Sequence, residues 1–354
     1  MSLIKVLIVD DSALMRKMIT QMLSEDSEIE VIGTARDGEE AIIKARELRP
    51  DVITMDINMP RLDGLTALQY IVHENICPVV MLSSLSQQGA AVTFEALELG
   101  AFDYVAKPGG TISLNLKEIK KDLITKVKLA SKSNLLSKLK KHRSPTIHRK
   151  VEKKVTSTKE ITKAIVIGVS TGGPKTLNEI IPDLPADIDA VVFIVQHIPE
   201  NFTESFAKRL DSNARFPIQE IAAGDTLLNG HGYVGKGGYH LLVRVMNNEL
   251  KARLTQQPHN LFMPSVDIMM ESVLQVFGKN TVGVLLTGMG DDGANSMVKI
   301  KQAGGITIAE NEETAIVFGM PREAYERGGV DHLVPSYDVA NQIVKALEKI
   351  DKRR

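Results

Sequence analysis

Five polar residues in the first 110 positions stand where short apolar runs end: Asp10 and Asp11 after IKVLIV, Asp56 after VITM, Ser83 after VVML, and Lys107 after Tyr104-Val105-Ala106. Runs of this kind read as strands buried on both faces of a parallel sheet, and their carboxyl ends open on one crevice. The pattern therefore predicts a pocket holding three carboxylates, a hydroxyl and an ammonium. Clustered carboxylates repel one another unless a cation sits among them, and hard oxygen ligands suit Mg²⁺. A carboxylate beside such an ion can accept a phosphoryl group as an acyl phosphate. Lys107 would offset charge on the phosphoryl oxygens and the Ser83 hydroxyl would hydrogen-bond one of them. Taken singly, Asp10 or Asp11 is explained equally well as a helix N-cap before Ala13-Leu14-Met15, but that reading does not account for all five positions.

A second constellation lies in the other half of the chain. Gly168-Val169-Ser170-Thr171-Gly172 satisfies G-x-S-x-G, which lets a serine sit on a strand-to-helix turn between small neighbours. Its hydroxyl would lie near a helix N-terminus whose free N–H groups stabilise an oxyanion. A phosphate-binding loop and a plain helix cap are the competing readings, so a base and an orienting carboxylate must be found. The run AVVFIV ends in Gln196-His197, and TVGVLL ends in Thr287-Gly288-Met289-Gly290-Asp291-Asp292-Gly293. Ser170, His197 and Asp292 thus follow three different strands, and in a parallel sheet all three face one crevice. His240 competes for the role of base, with His231, His259 and His332 less well placed, and Asp291 and Asp267 compete with Asp292. Either aspartate of the 291–292 pair would also serve as a cap for a helix beginning near Gly293. The order serine, histidine, aspartate differs from that of α/β-hydrolases, so the motif does not place the chain in that fold.

Both sets need a scaffold, and a chain of 354 residues has length for two domains. Between Lys120 and Lys154 there are thirteen Lys or Arg against two acidic residues, and after His142 apolar periodicity is lost. A basic flexible linker over 126–160 is expected, dividing a domain over 1–125 from one over 161–354. The linker has no interleaved aromatics to stack bases, and the net charge of −1 argues against nucleic acid as a partner. The single cysteine, Cys77, excludes an internal disulfide framework and suits a reducing cytoplasm. No signal-peptide pattern or membrane-length apolar run is seen, so a cytoplasmic protein that is not membrane-embedded is expected.

The stretch from Leu3 to about Asp122 resembles the receiver domain of two-component response regulators. The resemblance rests on Val9-Asp10-Asp11-Ser12, on Met55-Asp56-Ile57-Asn58-Met59-Pro60 with Asp63-Gly64, on Leu82-Ser83-Ser84 and on Tyr104-Val105-Ala106-Lys107-Pro108. It implies a flavodoxin-like five-stranded parallel sheet and phosphorylation at Asp56 by a histidine kinase. It further implies Mg²⁺ shared by Asp10, Asp11, Asp56 and the Asn58 carbonyl, with Ser83, Tyr104 and Lys107 as switch residues. From Lys163 to Ile350 the chain resembles the catalytic domain of bacterial chemotaxis protein-glutamate methylesterases. That resemblance rests on Ile167 to Pro174, Gln196-His197-Ile198, Leu286 to Gly293, Gly237 to His240, Pro264 to Asp267 and Phe318 to Pro321.

The second resemblance implies a doubly wound α/β serine hydrolase with a triad of Ser170, His197 and Asp292, and Met289 as oxyanion candidate. It implies demethylation of methyl-glutamate on chemoreceptor cytoplasmic domains for sensory adaptation, deamidation of receptor glutamines, and no cofactor for the esterase reaction. The joined halves imply a receiver that blocks the Ser170 crevice until Asp56 is phosphorylated. Two positions depart from the family pattern: Gly235-Lys236 stands where Ala-Pro is frequent, and Asn58 where Glu is frequent. A DNA-binding output would need a helix-turn-helix pattern that this Gly-rich, strand–helix half lacks. A nucleotide site is disfavoured because Gly168 to Gly173 gives neither G-x-G-x-x-G nor a lysine-containing P-loop. A scaffold with a dead hydrolase fold would have lost a triad residue, and none is lost.

Overall fold

The computed structural model describes residues 3–84, 86–107, 116–133, 160–260 and 262–353. They form two compact units, divided between Pro145 and Thr146. Residues 134–159, most of the basic segment expected at 126–160, lie outside the described residues.

The first unit alternates strand and helix: β1 Ile4–Val9, α1 Ala13–Ser24, β2 Ile29–Ala35, α2 Gly38–Leu48, β3 Val52–Asp56, α3 Gly64–His73, β4 Val79–Ser83, α4 Gln87–Leu99, β5 Asp103–Ala106 and α5 Leu116–Lys132. Its five strands lie parallel in the order β2-β1-β3-β4-β5. The apolar runs become β3 and β4, in which every residue is buried, because helices cover both faces of the sheet. The chain moves from β1 outward to β2 and then back across to β3, so the crevice at the strands' carboxyl ends opens between β1 and β3. Helix α5 passes the boundary expected at residue 125. Val127 and Ala130 are fully buried, which keeps its last turns in this unit.

The second unit is built on seven parallel strands in the order β14-β13-β12-β6-β7-β9-β8. In chain order they are β6 Ala164–Val169, β7 Val191–Gln196, β8 Ile218–Glu220, β9 Gly232–Val234, β12 Thr281–Leu285, β13 Ile306–Glu310 and β14 His332–Val334. Two further strands, β10 His240–Met246 and β11 Glu249–Thr255, form a separate antiparallel hairpin. The helices are α6 Gly173–Ile180, α7 Glu200–Asn213, α8 Val266–Phe277, α9 Ala294–Gln302, α10 Met320–Glu326 and α11 Ser336–Asp351. Strand β6 comes first and sits near the centre; the chain grows to β7 on one side and later fills β12 to β14 on the other. The reversal falls beside β6, the place where an open parallel sheet forms its crevice. Among the described residues no helix is long and apolar enough to cross a membrane.

Candidate active site

Ser170, His197 and the loop bearing Asp292 follow β6, β7 and β12, three strands adjacent in the sheet order β12-β6-β7. Ladder hydrogen bonds continue past the strand ends and tie these loops together. The Ser170 N–H donates to Thr287 O at 3.0 Å, and the His197 N–H donates to Val169 O at 3.2 Å. The Gln196 amide donates to Ser170 O at 2.9 Å, which holds the serine backbone against β7. The left-handed residue of the turn is Gly172, at φ +83°, and Ser170 does not share that conformation. The strain of a nucleophile elbow is therefore absent from Ser170, in agreement with the different chain order. Gly288 supplies the close approach: a Cβ there would lie 2.8 Å from the Ser170 Cβ and 2.3 Å from the Met320 sulfur.

His197 Nε2 lies 2.8 Å from Asp292 Oδ2, with both side chains nearly buried. Its Nδ1 is buried without a hydrogen-bond partner among the described residues. The Phe262 ring stacks on the imidazole at 4.1 Å and 3°. Asp292 also accepts from Ser265 Oγ at 2.8 Å, from the Val266 N–H at 2.7 Å and from the Asp267 N–H at 2.9 Å. These donors are the cap and first turn of α8, where free N–H groups and the helix dipole favour an anion. Burial pushes the Asp292 carboxyl up, but the His197 hydrogen bond and charge with the Asp267 and Val266 N–H groups outweigh it, leaving the carboxyl below its ordinary value.

The rivals separate cleanly. Asp291 is exposed and pairs with Arg327 at 2.7 Å, and the N-cap of α9 is Gly293 with no side-chain cap. Asp292 thus accepts from the first N–H groups of α8 and does not cap the helix that follows it in sequence. Asp267 accepts from the Ser296 N–H at 2.9 Å. His240 is fully buried with both ring nitrogens engaged, and His231 Nδ1 lies 3.1 Å from Asn229 O. Met289, next in the chain to the Gly288 that packs on Ser170, is exposed, and its N–H has no acceptor among the described residues. Phe262 was not foreseen, and Ser265 and Gln196 entered only as parts of motifs, without a role. A serine before the apolar period of 266–277 signals an N-cap, but nothing local signals that the cap serves a carboxylate near residue 292.

In the first unit, carboxylate oxygens of Asp10, Asp11 and Asp56 lie within 4.8 Å of one another. The Lys107 ammonium lies 2.8 Å from both Asp10 and Asp56. Burial pushes the Asp56 carboxyl up and Asp10 adds to this, while Lys107 and the Ile57 N–H pull it down, and the net shift is upward. Burial opposes charge on Lys107 as well, but its hydrogen bonds and attraction to Asp10 and Asp56 keep the ammonium pKa raised. One cation facing three hard oxygen donors leaves a charge deficit that a divalent ion would fill. Asp56, Asn58, Ser83 and Lys107 line one hollow. The Ser83 hydroxyl, however, is turned to α4, 2.6 Å from Thr93 Oγ1. Tyr104 is buried, with Lys126 5.1 Å above its ring and donating to its carbonyl at 2.6 Å.

The sequence model described as CheB methylesterase matches residues 165–343, and the response regulator receiver domain model matches residues 6–117. A protein-glutamate methylesterase/protein-glutamine glutaminase of Syntrophomonas wolfei is 53% identical over 98% of this chain and all of its own. A protein of the same name from Caldanaerobacter subterraneus is 52% identical over 98% of this chain and 97% of its own. The crystal structure of the Thermotoga maritima CheB methylesterase catalytic domain matches 52% of this chain and 99% of its own, with 37% identity and a TM-score of 0.51.

Proposed function

From the premise that the chain belongs to the CheB methylesterase family and carries a response regulator receiver domain, we propose that Ser170, His197 and Asp292 hydrolyse glutamyl methyl esters on chemoreceptors. Ser170 Oγ attacks the ester carbonyl while His197 Nδ1 takes its proton. Asp292 holds the Nε2–H and stabilises the imidazolium. The Met289 N–H stabilises the tetrahedral oxyanion, a contribution of about 10²–10³ in rate for one such donor. The imidazolium returns its proton to the departing methoxide and methanol leaves. Water, deprotonated by His197, then cleaves the acyl-enzyme to free glutamate and serine. The same path through a glutamine amide releases ammonia, and the relatives' names carry both activities.

The single observation that carries this reading is the His197–Asp292 pair at 2.8 Å on the strands flanking Ser170. Asp56 is the phosphoryl acceptor and a histidine kinase the donor. Asp10, Asp11, Asp56 and the Asn58 carbonyl would hold Mg²⁺, whose charge offsets that of the phosphoryl oxygens. Lys107 stays on the acyl phosphate, and Ser83 must leave Thr93 to reach it. That shift, with Tyr104 following, is the change by which phosphorylation raises hydrolysis; each 1.4 kcal/mol of bias is about tenfold in population.

The test is methanol release from methylated chemoreceptors by the full chain, by Ser170→Ala and by Asp56→Asn, with and without Mg²⁺ and acetyl phosphate. Release should vanish in Ser170→Ala, rise with the phosphodonor in the wild type, and ignore it in Asp56→Asn. Release that survives Ser170→Ala overturns the nucleophile. Release by the wild type that does not respond to the phosphodonor overturns the gating.

A further inference from the structure

We propose that His240 is a positioning residue for this hydrolysis: it fixes Ser265, and through Ser265 the carboxylate of Asp292. The inference rests on the reading of Asp292 as the partner of His197. His240 is fully buried at the start of β10. Its Nδ1 accepts the Ser265 backbone N–H at 3.2 Å, so that nitrogen carries no proton. Its Nε2 lies 2.9 Å from Pro258 O, a bond that needs a hydrogen on Nε2. Only the neutral Nε2–H tautomer satisfies both contacts. The same two contacts leave the ring no lone pair for a substrate proton, which removes it as a general base.

What His240 holds is the hinge of the carboxylate cradle. Ser265 caps α8, and its Oγ donates to Asp292 Oδ1 at 2.8 Å. The next two N–H groups, of Val266 and Asp267, donate to the same carboxylate. Three of the four hydrogen bonds that the described residues make to Asp292 therefore come from a segment whose entry is set by the His240–Ser265 bond. One turn and more further on, the Ser272 hydroxyl bridges the Val243 N–H at 2.6 Å and the Val243 carbonyl at 3.2 Å. The helix is thus pinned to β10 at two points, with His240 the one nearer the chemistry. Removing its acceptor leaves the Ser265 N–H buried and unpaired, and the cap shifts to find another partner.

Two amide substitutions separate the contact to Ser265 from the contact to Pro258. His240→Asn places an amide oxygen where Nδ1 stood and keeps the acceptor for Ser265. His240→Gln keeps a donor for Pro258 but leaves the Ser265 N–H without its acceptor. With the full chain, Mg²⁺, acetyl phosphate and methylated chemoreceptor, His240→Gln should lose about 100-fold in kcat with KM changed less than about threefold, as expected for a misplaced catalytic group. His240→Asn should recover all but about tenfold of that rate, since it restores the bond that positions the cap. Ser265→Ala, which keeps His240 intact, gives a second measurement if His240→Gln does not fold, and should lower kcat with KM unchanged. Equal losses in the two His240 variants, a rise in KM in place of a fall in kcat, or full activity of Ser265→Ala overturns the proposal. Asp292→Asn is measured alongside. If it retains the wild-type rate, the triad reading itself fails; if it is inactive while His240→Gln is not, only the positioning role fails.

Discussion

His197 meets Asp292 through Nε2, 2.8 Å from Oδ2, and so presents the opposite ring nitrogen, Nδ1, as the free base. In the serine protease arrangement the carboxylate holds Nδ1 and Nε2 takes the serine proton. The two arrangements are chemically equivalent, because either imidazole nitrogen serves once the other is locked as N–H. The exchange follows from topology: His197 leaves the end of β7 and Asp292 is held at the head of α8 by backbone N–H groups.

Asp292→Asn places an amide where the carboxylate accepted Nε2–H. The amide nitrogen favours the wrong tautomer and carries no charge to stabilise the imidazolium, so kcat should fall by about 10⁴. Asp291→Asn breaks only an exposed pair with Arg327 and should leave kcat within about twofold, since such pairs contribute little. Methanol release by the two variants, measured side by side, decides between adjacent aspartates.

Phe262 holds the imidazole by stacking at 4.1 Å, nearly parallel. Such contacts contribute about 0.5–1.5 kcal/mol, so Phe262→Ala should lower kcat by roughly two- to tenfold. Phe262→Leu, which keeps apolar bulk but no ring, should fall between. A variant with full activity would show that Asp292 alone orients His197.

Cys77 is a buried thiol, and burial, with Asp51 adding to it, pushes its pKa up to about 12. At pH 8 its thiolate fraction is roughly 10⁻⁴, against roughly a quarter for a free thiol. Iodoacetamide should therefore label the native chain very slowly and label it fast once the first unit unfolds. Labelling against urea reports the stability of that unit alone, and rapid native labelling would contradict the burial.

The positions of Ser170, His197 and Asp56 at strand ends are legible in the sequence because a buried parallel strand is a local signal and its end is where a side chain meets the crevice. The choice of Asp292 over Asp291 is not. Both follow the same strand, and what separates them is which one turns toward the head of α8, a contact set by packing between distant segments. His240 shows the same limit from the other side. Its neighbours suggest a site, and only the structure shows both ring nitrogens already engaged. The engagement of Ser83 with Thr93 is likewise invisible from a strand-end pattern, since it depends on how α4 lies against β4.

Asp56 is raised by burial and by Asp10 more than Lys107 and the Ile57 N–H lower it. A carboxyl whose folded-state pKa lies above its unfolded value is less willing to be ionised when folded, so at neutral pH its charge opposes folding. Asp56→Asn removes that charge and should raise the urea midpoint of the first unit at pH 7. The advantage should shrink as pH falls through the raised folded-state pKa and disappear below the ordinary carboxyl range, where the wild-type group is protonated in both states. Mg²⁺ should act in the same direction on the wild type, by about 2.7 kcal/mol at a hundredfold excess over its dissociation constant. It should act less on Asp56→Asn, and less still on Asp10→Asn/Asp11→Asn, in which two of the three converging carboxylates are neutral. An Asp56→Asn variant less stable than wild type at pH 7 would mean that the Lys107 ion pairs, and not the crowding of buried carboxylates, dominate the pocket.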